Sequence, residues 1–562
     1  VYCIPLAKET ASPFAPKNDE VKTDEQSKAD STASSKKKNE KTPAKTDDAT
    51  KPKVTDVKID LDGIMNRLIS LPIDAANYFN INSIGDNVYY QRTKPGDAQS
   101  SLMIYKLKGK KEDNLGNLDG YEISADGKKM MVANHGNYSI IDVPQSKFTI
   151  DKNVDLSGMK LWVNKHDEWN EIFNECWRQM RDFFYDPTMQ GVNWNAMKTK
   201  YGALVPYVNH RADLTYVIGE MIGELSIGHS YVGGGDEPKP ERIPMGMLGA
   251  KLSKDASGYY KIDKILDGAN WSNDLRSPLT EVGVNVNAGD FILAVNGAAT
   301  NSMNDIYSSL VNTAGKQVEL TVNSKASLAG SRKVIVIPIG NEKELYYYNW
   351  VQHNIRYVDS ISGGKIGYLH IPNMGVEGLN EFIKHFYPQL NKKALIIDDR
   401  GNGGGFVSGL VAERLSKELV YYNMMRNTIG GTDPQMLLGP KVLLIDRYSA
   451  SDGDIIAYRF KKYNIGKVIG VRTWGGVVGI RGSLPLMDGG YLMRPEFAPY
   501  NDKGWVIEGY GVDPDIVLDN DPAQEYLGTD AQLNKGVEEL LEELKTQEQN
   551  VPAIPPFKDK SK

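Results

Sequence analysis

Cysteine is almost absent from this chain: Cys3 and Cys176 are the only two in 562 residues, far apart and without a cluster of other ligands beside either. That argues against a disulfide framework and a cysteine-built zinc site, and it leaves the redox compartment open. Basic excess is missing as well. Lys and Arg number 66 against 72 Asp and Glu, a formal net charge of −6. With no basic stripe along the sequence, nucleic acid is not an expected partner. No apolar run reaches the ~18 residues of a transmembrane helix. Histidine is scarce, seven in all, which narrows any search for a general base. A chain this long outgrows one core, and about 150 residues per domain gives three or four domains. The first residues, Val1-Tyr2-Cys3-Ile4-Pro5-Leu6, carry neither an initiator methionine nor a signal peptide and read as a strand cut from something longer.

What is present falls into regions. Residues 1–155 hold short strands between turns, among them Asn87 to Gln91, Ser101 to Leu107, Lys129 to Ala133 and Tyr138 to Val143, as in a sandwich or propeller. Within them, residues 17–58 form a Lys/Asp/Ser/Thr tract without an aromatic, expected to be a disordered insertion with solvated charges. Between Glu168 and Glu224, Trp169, Ile172, Phe173, Cys176, Trp177, Met180 and Phe183-Phe184 recur at helical spacing and predict a buried helix face in a helical domain, residues 160–240. Residues 245–345 contain Gly289-Asp290-Phe291-Ile292-Leu293-Ala294-Val295-Asn296-Gly297, a short helix from Asn304 to Ala314 and the strand Val318 to Val322, an order that resembles a PDZ domain. Such a domain adds a peptide as a strand and holds its carboxylate on backbone N–H groups, here those around Gly246-Met247-Leu248-Gly249; a spacer or lid is the plainer role. From 350 to 525 apolar strands alternate with helices: Ile366 to Ile371, Val376 to Leu390, Ala394 to Asp398, Val407 to Lys417, Val442 to Ile445, Asp452 to Tyr463, Val468 to Val471. That is the pattern of an α/β layer with parallel strands. Residues 526–562 complete the chain as a helix and tail.

In this last layer Ser451 stands where the strand Val442 to Ile445 gives way to the helix starting near Asp452. Free N–H groups and the dipole at a helix start favour negative charge on or beside a serine oxygen. The plainer reading makes Ser449 or Ser451 an N-cap. A second strand, Ala394 to Asp398, runs into Gly403-Gly404-Gly405, where side-chain-free backbone can approach a ligand. This loop lacks the GxxxxGK[ST] spacing of a phosphate cradle and a full GxGxxG. The N–H groups of Gly404 and Asp452 could instead hold a tetrahedral oxyanion. A serine nucleophile needs a base. His229 stands out, leaving an amphipathic helix for a glycine-rich turn, whereas the other six histidines lie in polar or strand-like settings.

Five segments together resemble the tricorn protease family: Gly223-Glu224-Leu225 with His229-Ser230-Tyr231, Gly401-Asn402-Gly403-Gly404-Gly405-Phe406-Val407, Ser449-Ala450-Ser451-Asp452-Gly453-Asp454, Arg472-Thr473-Trp474-Gly475-Gly476-Val477-Val478-Gly479-Ile480, and Glu508-Gly509-Tyr510-Gly511-Val512-Asp513-Pro514-Asp515. They occur in the family's order and the resemblance covers roughly residues 160 to 525. It implies a multidomain α+β and α/β protein: the last blades of a β-propeller, a helical domain, a PDZ domain and a ClpP/crotonase-like α/β catalytic domain. It further implies a serine peptidase with Ser451 as nucleophile, His229 as base and then acid, Glu508 as the remote carboxylate and Gly404 and Asp452 as oxyanion donors. One position departs. Where the family carries a serine that bridges the histidine to the glutamate, this chain has Gly228, so a water, Ser226 or Ser230 would have to fill the gap. In carboxyl-terminal processing enzymes of the same clan a lysine some two dozen residues past the serine is the base; the stretch Arg472 to Val478 has none, which favours His229.

The expected function is therefore hydrolysis of peptides through a Ser451 acyl-enzyme, without metal or organic cofactor. A catalytically weak peptide-binding assembly that uses the PDZ and propeller regions is the alternative, and acyl-CoA chemistry is a third reading that fold alone would permit. The family's acidic specificity residue has no clear counterpart between Lys417 and Gln435. A homo-oligomer is implied by analogy with ring-forming relatives, and the polar insert resembles exported bacterial versions, which points to the periplasm ahead of the cytoplasm.

Overall fold

A computed structural model describes residues 1–15, 57–426, 428–430, 435–546, 553–558, 560 and 561. Apart from its last two residues, the tract expected to be a disordered insertion lies outside the described residues. The chain divides into two compact units, Val1–Trp162 and Val163–Lys562.

The first unit is built from antiparallel meanders. Asn77–Ile84, Asn87–Thr93, Ser101–Lys106 and Lys111–Asn117 pair in chain order, and Gly120–Ile123, Lys129–Asn134 and Asn137–Asp142 form a second, three-stranded sheet. Alternation along the strands explains the core: Tyr89, Leu102 and Ile104 pack with Leu115, Tyr121, Met130 and Val132, while Tyr90, Met103 and Tyr105 pack with Leu71. Four-stranded meanders of this kind are what a propeller blade is made of. Among the described residues no sheet closes on itself.

The second unit opens with three helices in the region expected to be a helical domain: α1 Lys165–Phe183, α2 Trp194–Gly202 and α3 Arg211–Gly223. Asn164 caps α1 by accepting from the His166 N–H, and Trp169, Ile172, Phe173, Cys176, Trp177 and Met180 form the buried stripe. Phe183 departs from it: the ring is 45% exposed and lies under the Arg494 guanidinium. Next comes an antiparallel sheet in the order Ala250–Lys254, Tyr260–Ile265, Phe291–Val295, Val318–Asn323, Arg332–Val336. Its expected helix from Asn304 to Ala314 is a single 3₁₀ segment, Ile306–Leu310.

The remaining layer is a five-stranded parallel sheet: Ile366–His370, Ala394–Asp398, Lys441–Ile445, Gly466–Gly470 and Ile516–Val517. The first three strands are buried at every residue, as both faces of a parallel sheet are covered by helices. Leu395, Ile397, Leu443 and Ile445 face α5 Val376–Phe386, α6 Ser408–Leu415 and α7 Asp452–Lys462. The alternate residues Ile396, Val442 and Leu444 face Val358 of α4 Lys343–Ile361 and Leu533, Val537 and Leu540 of α8 Ala531–Thr546. The helix after residue 526 is thus part of this layer. A small antiparallel sheet joins the helical region to it: Tyr231–Gly234 pairs with Gly490–Phe497, which also pairs with Gly479–Arg481. Beside this sheet Arg211 and Asp488 form an ion pair, each side chain 1% exposed. Among the described residues no helix is long and apolar enough to cross a membrane.

Candidate active site

The strand Lys441–Ile445 ends in a tight turn braced from beneath. The fully buried Ser449 donates its hydroxyl to the Asp399 carbonyl at 2.8 Å and accepts the Asp446 N–H at 3.1 Å. Ser449 is therefore the structural serine of the pair. Ser451 occupies the N-cap position of α7, yet its side chain makes no capping bond and its backbone stands at φ 58°, ψ −117°. A non-glycine residue with positive φ costs of order 1–3 kcal/mol and persists only where the surroundings impose it. A strained serine between a strand and a helix, with its hydroxyl not spent on capping, is the arrangement of the elbow of nucleophilic serines.

The glycine loop is fitted to that elbow. A Cβ on Gly404 would lie 2.6 Å from Ser451 Cβ and 2.9 Å from the Asp452 nitrogen, and one on Gly405 would lie 2.1 Å from the Met374 carbonyl oxygen. Gly403 has open space around it. Among the described residues the Asp452 N–H has no acceptor, whereas the Gly404 N–H donates to Asn402 Oδ1 at 2.9 Å. The expected oxyanion pair is thus brought together with one donor open and the other engaged. Asn402, fully buried, holds the loop from below: its Nδ2 donates to the Ile371 carbonyl and to Asp399 Oδ1, and its carbonyl accepts the Ala450 N–H at 2.8 Å. The Asp452 carboxylate accepts from the Ser408 N–H at 2.8 Å and caps α6.

His229 sits between the buried anchors Leu225 and Ile227 and the strand Tyr231–Gly234. Its Nδ1 donates to the Val478 carbonyl at 2.8 Å. That bond fixes the tautomer and leaves Nε2 as the proton acceptor. Burial pushes the imidazole pKa down, against the Val478 carbonyl and the Glu508 charge, which raise it. Glu508 does not reach the ring. Its Oε2 accepts the N–H groups of Val477 and Val478 at 2.7 and 2.8 Å, so the backbone of Val478 lies between carboxylate and imidazole. Neither serine offered by the sequence bridges them: Ser230 Oγ is buried without a partner, and Ser226 is an exposed turn residue at φ 49°. A Cβ on Gly228 would stand 3.3 Å from Cζ2 of Trp474, the indole that meets His229 edge-on with ring centres 5.7 Å apart. The backbone N–H of Trp474 donates to the Ser449 carbonyl at 3.1 Å, tying the histidine side of the site to the serine turn.

Two further carboxyls lie behind the elbow. Asp454 accepts the Gly475 N–H at 2.7 Å, Asp399 accepts from Asn402, and each leaves one buried oxygen without a partner. Burial drives both pKa values up, Asp399 far more. Val478, Asn402, Asp399 and Asp454 were not singled out in the sequence. The backbone contacts of Val478 leave no residue signature, although Val478, Asn402 and Asp454 all lie inside motifs that were. Among the described residues no group of three His, Cys, Asp or Glu side chains is arranged to hold a metal ion.

Comparison with known proteins bears on this assembly. Residues 165–223 match the tricorn protease C1 domain, 246–341 the tricorn protease PDZ domain and 365–518 peptidase family S41. The chain is 33% identical over 526 residues to Tricorn protease homolog 1 of Streptomyces coelicolor, covering 89% of this chain and 48% of that protein. It is 36% identical over 508 residues to the Tricorn protease homolog of Saccharolobus solfataricus, 87% of this chain and 47% of that one. The chain belongs to the tricorn protease family. The crystal structure of the tricorn protease superposes with a TM-score of 0.79 at 30% identity, over 88% of this chain and 49% of that one. The chain spans about half the length of the curated relatives it matches. Family membership accounts for the order of the three matched regions, and with it for a multidomain α/β architecture.

Proposed function

We propose that this chain is a serine peptidase of the tricorn type, acting on peptides through a covalent Ser451 intermediate. The observation that carries the proposal is the Ser451 backbone, held at φ 58° at a helix N-terminus against a glycine that admits no Cβ. Nothing in the packing of a plain N-cap calls for that conformation. In the reaction Ser451 Oγ attacks the scissile carbonyl carbon while His229 Nε2 takes the hydroxyl proton. The Asp452 N–H receives the developing oxyanion, and the Gly404 N–H joins it when released from Asn402. The C–N bond breaks as His229 returns the proton to the leaving amine. Water, deprotonated by the same nitrogen, then hydrolyses the acyl-enzyme. Among the described residues Ser451 Oγ makes no hydrogen bond, and nucleophile–base bonds of unliganded enzymes commonly tighten only with substrate. Glu508 acts through the Val477 and Val478 backbone that orients the imidazole. The meanders of residues 1–162 are read as propeller blades that complete a ring with chain from outside this sequence, and assembly into a homo-oligomer goes with that reading.

Intact-mass analysis after treatment with a serine-directed phosphonate tests the chemistry. The parent is expected to gain one adduct, Ser451→Ala none, and His229→Ala one that forms at least ~100-fold more slowly. An unmodified parent would leave peptide binding without turnover as the reading to pursue.

A further inference from the structure

Ala250–Lys254 is the outer strand of the PDZ sheet, pairing among the described residues only with Tyr260–Ile265. The residues leading into it, Leu248-Gly249-Ala250, are where a PDZ domain presents successive backbone N–H groups to a peptide's terminal carboxylate. Two of those groups are already taken. The Gly249 N–H donates to Glu342 Oε1 at 2.7 Å and the Ala250 N–H to the same oxygen at 3.3 Å. Gly249 stands at φ 71°, which lets consecutive N–H groups converge on one acceptor.

The carboxylate arrives from the chain's own continuation. Ile339 pairs with Met247 in both directions, at 2.7 and 2.9 Å, and Glu342 follows three residues later at the start of α4. Leu345, fully buried, lies where a Cβ on Gly249 would meet its Cδ1 at 3.4 Å. One residue on, the Tyr346 ring sits 5.7 Å from the Lys251 ammonium. A carboxylate on the loop with an apolar side chain beside it reproduces what the end of a bound peptide would supply. Burial raises the Glu342 pKa and the two N–H bonds oppose it, the balance of a carboxylate taken out of water into a donor cradle.

We propose that Glu342 is an internal ligand of this PDZ domain, its carboxylate filling the Gly249–Ala250 cradle and closing it to the C-termini of other peptides. The domain then works as a strut. A second tie fixes the same helix: Asn349 accepts the Asp267 N–H at 3.0 Å and donates to the Asp267 carbonyl at 2.8 Å. On the same helix, the Tyr347 hydroxyl pairs with His370 Nδ1 and His370 Nε2 with the Arg400 carbonyl, each at 3.0 Å. Arg400 immediately precedes the glycine loop, so the strut ends at the candidate active site. The inference rests on the cradle alone and holds whether or not Ser451 is a nucleophile.

The test uses the whole chain carrying Ser451→Ala, so that no probe is consumed, and a fluorescein-labelled hexapeptide ending in valine, either with a free carboxylate or as the amide. With Glu342 in place, polarisation should show the two forms binding equally weakly. Adding Glu342→Ala should create a preference for the free carboxylate of about tenfold or more. Glu342→Gln, which keeps the shape and loses the charge, should create a smaller preference of the same sign. Amide exchange read by mass spectrometry gives the second arm: in Glu342→Ala, exchange over residues 247–252 should rise at least about tenfold while that of the strand Phe291–Val295 stays protected. A carboxylate preference already present with Glu342 intact, or absent after both substitutions in a folded domain, would overturn the proposal. Unchanged exchange over 247–252 would do so as well.

Discussion

Ser451 keeps a backbone conformation that a side chain disfavours, and this makes strain and chemistry separable at one position. Glycine adopts φ 58° without the cost of a Cβ, so Ser451→Gly should raise stability by about 1 kcal/mol while abolishing turnover. Thermal or urea unfolding of the two proteins decides it. A loss of stability would mean the elbow is not strained. At His229 the sign of the pKa shift gives a second expectation. Burial dominates and lowers it, so the imidazole becomes the free base below its ordinary pKa of about 6.5, and the acid limb of kcat/KM should fall under that value. Glu508 raises the His229 pKa through its charge, so Glu508→Gln should move the limb to still lower pH and reduce kcat by roughly 10- to 10⁴-fold, as misdirected imidazoles do. A pH–rate profile of each protein reads both. A limb at or above pH ~6.5, or one that moves upward in Glu508→Gln, would remove His229 as the base.

The glycine loop and the elbow make one paired element, and three adjacent glycines in it should respond differently. Gly403→Ala enters open space and should leave phosphonate labelling within about twofold of the parent, the tolerance of a surface change away from special features. Gly404→Ala pushes a methyl into Ser451 and the Asp452 nitrogen at a φ of 91°, and should slow labelling by at least ~100-fold, the scale of a lost oxyanion donor. Gly405→Ala meets the Met374 carbonyl and should cost stability first. Equal effects at Gly403 and Gly404 would count against the fit between loop and elbow. At this scale the sequence was informative where a residue type is forced. Strands such as Ala394–Asp398 were legible because a strand buried on both faces must be apolar throughout. The positions of Ser451 and Gly404 were legible because strand-to-helix turns and glycine runs mark themselves. The link between Glu508 and His229 was not, because it runs through the amide N–H and carbonyl of Val478, groups that every residue carries. Nothing announced that the Asn402 side-chain oxygen would occupy the Gly404 N–H either, because an asparagine beside glycines can bond its own backbone in several ways.

At the level of the whole chain, every group placed in the site comes from the second unit. His229 precedes a strand that pairs with Gly490–Phe497, its preceding helix is tied through Arg211 to Asp488, and the sheet carrying Ser451 is covered on its other face by α8. Each of these partners lies between residues 163 and 546, so a protein of those residues alone retains both faces of the catalytic sheet and the whole core around His229. Such a fragment should therefore fold and take up the phosphonate at Ser451 at a rate within about threefold of the full chain, since the elbow, its base and the core residues around them all belong to the second unit. Shortening it further to residue 530 removes Leu533, Val537 and Leu540 from the sheet. At about 1.5–3 kcal/mol for each buried aliphatic side chain, that loss is comparable to the entire stability of a domain, and the shorter fragment should be insoluble or unfolded. Labelling that required residues 1–162 would instead mean that the first unit shapes the site, and a folded, reactive fragment ending at 530 would mean that α8 is a cover the catalytic layer can lose.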